Sequence, residues 1–209
     1  MIILGIDPGF AIVGYGIINY TNNKYNVLEY GSITTHKDME FNKRLVKIAE
    51  DLESILKKYK IDAVSIEELF FNNNVTTGIP VAEARGVILY TLEKNNIKVY
   101  EYTPMQIKQS VTGSGRADKL QMKRMVKDYL KLEIMPKLDD TTDALAAAVT
   151  HIHRYKYESI ANKNNTLTKL QMLEKEKNTY SSKIEKQIKE QMTKKTKYER
   201  LIKKMKWRA

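Results

Sequence analysis

Two mostly apolar segments of this chain each end in an acidic residue, and this pattern constrains the fold more than any other feature. Asp7 closes residues 2–7, and Glu67 closes residues 62–67. Short apolar segments of this kind are typical of strands that are buried on both faces of a sheet. A carboxylate at the end of a buried strand is costly unless a cation neutralises it. The sequence therefore predicts a sheet covered by helices, with a cation site at the edge where these strands end.

A second pair of acids opens a helix rich in Ala and Leu, predicted at residues 139–153. Asp140 and Asp143 are three residues apart, so a helix presents both carboxylates on one face, near its positive end. Asp139 could be the cap of this helix or a further ligand, and the spacing leaves both open. Hard carboxylate donors in a chain without Cys favour magnesium. We therefore expect a phosphodiester-cleaving site with two Mg²⁺ ions, Mn²⁺ being a substitute, bound by Asp7, Glu67, Asp140 and Asp143.

Each acid also has a structural interpretation. Asp7 precedes Pro8-Gly9 and could belong to a turn, whereas Glu67 could lie with Glu68 at a solvated strand end. Asp140 could serve only as a helix cap. Taken singly, each acid favours the structural interpretation. Their joint occurrence in this order along one chain favours the metal site.

The remaining pattern predicts an α/β fold, with a mixed sheet flanked by helices. Apolar positions in residues 38–59 recur at intervals of three and four, which indicates a helix with one buried face. Pro8-Gly9 and Asn22-Asn23 supply turns between the first three strands. The predicted strands are residues 2–7, 13–20, 25–34, 62–67 and 97–101, and the predicted helices are residues 38–59, 74–94, 104–132 (interrupted at 113–115) and 139–153.

The net charge of +11 is carried by the end of the chain. Residues 154–209 contain 17 Lys and Arg against 6 Asp and Glu, whereas residues 1–153 are balanced, with 19 of each. The end of the chain has no Gly or Pro, so we predict a domain at residues 1–153 followed by a basic, helical tail, with a linker at residues 162–165. Such asymmetry favours an arm that meets nucleic acid, although a helix that only aids solubility has the same composition.

The composition excludes several classes of protein. No run of 18 apolar residues is present, so no membrane span is expected. The first apolar segment has no basic residues before it and contains Asp7, which argues against a signal peptide. The absence of Cys excludes disulfides and thiolate sites. A cytoplasmic location is therefore expected.

An ordered series of short motifs runs through residues 1–153. These are Ile3-Leu4-Gly5-Ile6-Asp7-Pro8-Gly9 with Gly14-Tyr15-Gly16, Ile66-Glu67 with Leu69-Phe70, Glu83-Ala84-Arg85-Gly86-Val87, Gln106-Ile107-Lys108-Gln109-Ser110-Val111, Gly113-Ser114-Gly115-Arg116-Ala117-Asp118-Lys119, and Asp140-Thr141-Thr142-Asp143-Ala144-Leu145-Ala146 with Thr150-His151. The series resembles the RuvC family of bacterial Holliday-junction resolvases. The resemblance implies an RNase-H-like fold, a homodimer, and symmetric Mg²⁺-dependent nicking of two strands of a four-way DNA junction during recombination and repair. It also implies cooperation with the RuvA–RuvB branch-migration complex, and it assigns catalysis to the same four acids.

The resemblance further implies contacts with DNA. Phe70 matches an aromatic residue that the family uses on junction bases, although a buried core Phe is the alternative. Lys108 and Lys119 match lysines near the scissile phosphate. Arg116 lies in the same basic segment, beside glycines that let the backbone approach a phosphate. A solvated basic helix face is the alternative for these three.

Two departures and three competing functions remain at this point. Pro80 lies where related chains continue a helix of the dimer contact, and we expect it to kink that helix or delay its start. The tail at residues 154–209 is longer than is usual in the family. The nearest alternative function is another RNase-H-like nuclease, which acts on RNA or an RNA–DNA hybrid. A non-catalytic junction-binding module and an actin-like ATPase are less favoured, because the acids are retained and the chain has room for only one such domain.

Overall fold

The structure is a computed structural model, which describes the backbone of residues 1–69 and 75–206. Within these ranges the side chains of residues 75–77, 164, 165, 167, 176 and 178–206 are not described. The strands are β1 (Ile2–Asp7), β2 (Ile12–Thr21), β3 (Lys24–Thr34), β4 (Ala63–Glu67) and β5 (Val99–Tyr102). The helices are α1 (Phe41–Lys58), α2 (Val75–Lys94), α3 (Pro104–Thr112), α4 (Lys119–Leu130) and α5 (Asp139–Lys206).

The strands form one mixed sheet, as the sequence predicts. Their order is β3-β2-β1-β4-β5. The first three strands are antiparallel neighbours, whereas β4 runs parallel to both β1 and β5. The predicted α/β fold with helices around a mixed sheet is therefore confirmed.

Both faces of the sheet are covered, which explains the apolar sequence of the central strands. Ile3 packs with Leu145 in a cluster formed with α3, α4 and α5. The neighbouring Leu4 points to the other face and packs with Ile48 of α1 and Ile88 of α2. This alternation follows from the two-residue period of a strand, and it buries β1 almost completely.

Glycines allow α5 to lie directly on the sheet. A Cβ atom at Gly5 of β1 would overlap the backbone carbonyl of Ala144. A Cβ at Gly14 of β2 would overlap the carbonyl of Asp140 in the same way. Because neither glycine has a side chain, the backbone of α5 can touch the backbone of both strands. This close approach brings the start of α5 to the end of β1, where Gly14 is paired with Asp7.

Several predicted boundaries are wrong by a few residues. Helix α1 begins at Phe41 rather than residue 38, after an extended Glu40. Strand β5 begins at Val99 rather than residue 97, because the amide of Ile97 still donates to the carbonyl of Leu92 and finishes the end of α2. Helix α2 begins at Val75, so Pro80 does not delay its start.

The predicted linker at residues 162–165 is also wrong. The backbone of α5 is helical from Asp139 to Lys206 and passes through this segment without a break. Asn and Lys lower helix stability by less than about 0.7 kcal/mol each, and only Gly or Pro would do more. The hydroxyl of Thr166 donates to the carbonyl of Asn162 at 2.9 Å within this stretch.

The contacts of the chain divide it into two compact units, Met1–Lys156 and Tyr157–Ala209. The first unit contains the sheet and the buried clusters. In the described part of the chain, no helix combines the length and the apolar character that crossing a membrane requires.

Candidate active site

Asp7 and Glu67 end two strands that lie side by side. In the parallel pair β1–β4, Ile6 is the partner of Ile66, so the next residue of each strand is an acid at the same edge. Both acids are half-buried. The sequence predicts that both acids stand at carboxyl ends of strands, where ligands gather, but not that the two strands are neighbours.

Asp140 and Asp143 are brought to the same edge by the first turn of α5. The contact between the Asp140 carbonyl and Gly14 fixes the distance between this turn and the sheet. Two hydroxyl groups add ties that the sequence alone does not reveal. The Ser65 hydroxyl of β4 donates to the carbonyl of Ala147 at 2.6 Å, and Thr141 donates to the carbonyl of Gly31 at 3.1 Å.

The four acids act on each other electrostatically. Burial raises the pKa of Asp7 from 3.8 to about 8, and the charges of Glu67, Asp143 and Asp140 contribute to this rise in that order. Burial, with the charge of Asp143, raises the pKa of Glu67 from 4.5 to about 7. Burial also raises the pKa of Asp143. The structure therefore gathers Asp7, Glu67 and Asp143 into one desolvated group, with Asp140 near enough for its charge to act on Asp7 and Asp143.

Two predicted lysines lie within electrostatic reach of this group. The charge of Lys119 lowers the pKa of Asp7, Glu67 and Asp143, in opposition to burial. Lys108 acts on the pKa of Glu67 in the same direction. The side chain of Lys119 is 75% exposed, so its ammonium group remains accessible from solvent.

Asp139 has a different environment from the other acids. Its carboxylate forms ion pairs with Lys123 at 2.6 Å and Lys119 at 3.4 Å. The hydrogen bond from Lys123 is the main reason that the pKa of Asp139 is lowered. Asp139 does not contribute to the raised pKa of Asp7, although its charge contributes to that of Asp143. Its observed contacts therefore hold two lysines of α4 beside the site.

The donor set fits a divalent cation. Asp7, Glu67 and Asp143 are desolvated and repelled by neighbouring acids, so they gain most from a hard cation that replaces their protons. No three Asp, Glu or His side chains among the described residues are already grouped closely enough to hold a metal ion. The fit to a cation therefore rests on the chemistry of these donors.

The other predicted DNA contacts have different outcomes. Arg116 is exposed and lines an open groove of about 610 Å³. This groove is formed by one side of α3 and the loop that follows it, with Met105 and Gln109 among its lining residues. Phe70 lies outside the described residues.

Comparison with known proteins gives one consistent family. A sequence model described as "Crossover junction endodeoxyribonuclease RuvC" matches residues 3–151. A protein of that name from Clostridioides difficile is 53% identical over 158 residues, which cover 76% of this chain and 94% of the relative. The protein of the same name from Ruminiclostridium cellulolyticum is 52% identical over 151 residues, covering 72% and 91%. The solved structure of Thermus thermophilus RuvC in complex with Holliday junction substrate is similar with a TM-score of 0.72 at 30% identity, covering 76% of this chain and 96% of that one.

Proposed function

The chain belongs to the RuvC family of crossover junction endodeoxyribonucleases, and we propose that Asp7, Glu67, Asp140 and Asp143 form its active site. It is a metal-dependent endonuclease that resolves Holliday junctions in DNA recombination and repair. The matched part of the chain spans more than nine-tenths of the length of these relatives.

One observation carries the assignment of the site. Three acids from three separate elements have raised pKa values, and each is affected by the charge of at least one other acid of the group. A purely structural Asp or Glu usually has a lowered pKa, because it pairs with a base or accepts hydrogen bonds. Raised pKa values of acids at the carboxyl edge of a sheet are typical of functional sites. The grouping therefore supports catalysis over a turn, cap or strand-end role.

The four acids would hold two Mg²⁺ ions, which activate the attacking water and stabilise the leaving oxygen of the phosphodiester when bound. At neutral pH without metal, Asp7 is mostly protonated and Glu67 partly so, and both release these protons as they become ligands. Lys108 and Lys119 bind the phosphates beside the cut, since both lie within electrostatic reach of the acids and Lys119 is exposed. Mn²⁺, another hard cation that carboxylates bind, would substitute.

The remaining assignments concern the assembly, the DNA contacts, the protein partner and the location. A single site of this kind cleaves one strand, so symmetric nicking requires a homodimer with two sites. Phe70 is proposed to stack on a junction base and Arg116 to meet the backbone. The RuvA–RuvB branch-migration complex is proposed as the protein partner, and the cytoplasm, where chromosomal DNA is processed, as the location. We treat residues 1–153 as the nuclease domain and 154–209 as a separate basic tail.

A substrate panel tests the proposal. Full-length protein is incubated with a synthetic four-way junction, a duplex and an RNA–DNA hybrid, each with and without Mg²⁺. We expect paired symmetric nicks in the junction alone, and only with Mg²⁺. Asp7→Asn should abolish cutting while junction binding survives, because most binding energy comes from basic groups elsewhere. Cleavage by Asp7→Asn would refute the site, and equal cutting of the hybrid would favour an RNA-directed nuclease.

A further inference from the structure

We propose that Arg44 is a positioning residue, which locks the turn after Asp7 so that Asp7 is ready to bind metal. This inference rests on the proposed role of Asp7 as a ligand. Arg44 lies in the first turn of α1 and belongs to none of the family motifs. It contacts the turn, not the acids, so any effect on metal must pass through the backbone that carries Asp7.

A relay of hydrogen bonds connects Arg44 to the turn. The Nε atom of Arg44 donates to Oγ1 of Thr35 at 2.9 Å, and the Thr35 hydroxyl donates to the carbonyl of Phe10 at 2.7 Å. Nη2 of Arg44 reaches the same Phe10 carbonyl at 3.4 Å. The backbone amide of Thr35 donates to the carbonyl of Ala11 at 2.9 Å. Thr35 is only 5% exposed, so the relay is shielded from water, which strengthens it.

The guanidinium group also packs against a ring. Its central carbon lies 3.7 Å from the centre of the Phe10 ring, and that ring lies 4.8 Å from the ring of Phe41. A planar guanidinium can stack on an aromatic face and donate from its edge at the same time, which the ammonium of Lys cannot do. The turn is thus held through both its backbone and its side chain.

The turn needs such a lock because of where it begins. Asp7 is the last residue of β1, and the chain must pass through residues 8–11 before β2 starts. Asp7 is only half-buried, at the edge where β1 and β4 end side by side. If residues 8–11 were free to move, the carboxylate could relax towards water, and metal binding would then have to reassemble the site. The turn is tight, since a Cβ at Gly9 would overlap the carbonyl of Ile12. When the Arg44 and Thr35 hydrogen bonds hold this turn, little room is left for such relaxation.

Metal binding without DNA is the direct test. Mn²⁺ is titrated into full-length wild-type protein, Arg44→Met and Arg44→Lys, and the free ion is measured by electron paramagnetic resonance. We expect Arg44→Met to weaken Mn²⁺ binding about tenfold, at the lower end of the effect of residues that orient metal ligands. Arg44→Lys should be intermediate, because it keeps the charge but loses the fork. Thr35→Val should weaken binding as well and add little to Arg44→Met, since both break one relay.

Matched measurements separate this role from others. Lys47→Met removes a basic residue of the same helix that pairs with Asp51 at 2.7 Å, and it should leave Mn²⁺ binding unchanged. Junction affinity in EDTA should be unchanged in Arg44→Met, and cleavage should recover as Mg²⁺ is raised. Unchanged Mn²⁺ binding overturns the inference, whether Arg44→Met lowers only thermal stability or lowers junction affinity. Asp7→Asn serves as the reference: if it binds Mn²⁺ as the wild type does, the proposed site itself fails, independently of Arg44.

Discussion

Asp7→Asn should stabilise the metal-free protein at alkaline pH although it abolishes cleavage. The pKa of Asp7 is about 8 in the folded chain and 3.8 in a free side chain. The folded state therefore binds more protons than the unfolded state between these values, and its stability falls as the pH rises through this window. Asn does not titrate, so the variant escapes this loss.

The magnitude follows from the same values. At about 1.4 kcal/mol for each pKa unit, the rise from 3.8 to about 8 corresponds to an upper bound of roughly 6 kcal/mol. Relaxation around the buried charge reduces this figure, and the Asn amide must find new hydrogen bonds. We expect a net gain of about 2 kcal/mol near pH 8, which corresponds to about 4–8 °C in melting temperature for a domain of this size. Near pH 5 only the lower part of this window has been crossed, so the difference in melting temperature should be much smaller.

Thermal melts of the wild type and Asp7→Asn in EDTA, near pH 5 and near pH 8, measure this difference. Asp38→Asn is the matched control, because Asp38 lies in an exposed loop where the same change should have little effect at either pH. In excess Mg²⁺ the order near pH 8 should reverse, because only the wild type gains the full binding energy of the metal. An Asp7→Asn protein that melts below the wild type in EDTA near pH 8 would show that burial and the neighbouring acids do not disfavour the Asp7 charge.

Three further predictions address the parts that surround the acids. Gly14→Ala should destabilise the chain by about 1–3 kcal/mol and reduce junction cleavage, since its Cβ overlaps the Asp140 carbonyl; Gly86→Ala, where the space is open, should instead be neutral or stabilising in thermal melts. Ser65→Ala should lower the free energy of unfolding by about 1 kcal/mol in urea, because the bond to the Ala147 carbonyl is lost. Lys119→Met should raise the pKa of Asp7, Glu67 and Asp143 further, so Mn²⁺ binding should require a higher pH; equal pH profiles for the variant and the wild type would contradict this.

The mixed sheet and the positions of Asp7 and Glu67 at strand ends could be predicted because both depend on local pattern. Apolar segments that end in acids indicate buried strands, and parallel neighbours carry their final residues to one edge. The position of α5 could not be predicted in the same way. It depends on Gly5 and Gly14 meeting one particular helix, whereas a glycine in a strand is equally compatible with a bulge or with a ligand that approaches the backbone.

The predicted boundaries of helices and strands are wrong where a few residues lie between two elements. Residues 97–98 have the composition of a strand, but the amide of Ile97 donates a hydrogen bond to the carbonyl of Leu92 at the end of α2. Residues 38–40 suit a helix, yet α1 starts only after Glu40. The contacts of Arg44 were equally hidden, because a guanidinium on a helix gives no sign in the sequence of a turn that begins more than thirty residues earlier.

The charges at the site also explain why metal and DNA should bind in a coupled way. A phosphate adds negative charge, so bringing the scissile phosphate to Asp7 and Glu67 without metal would increase the repulsion that already raises their pKa values. Lys119 and Lys108 oppose that repulsion only in part, and Lys119 is shared with Asp139. The junction can therefore bind through basic groups elsewhere in the absence of metal, while the phosphate to be cut should enter the site only when a divalent cation balances it. Cleavage should depend more steeply on Mg²⁺ than junction affinity does, since only the former requires a phosphate among the acids.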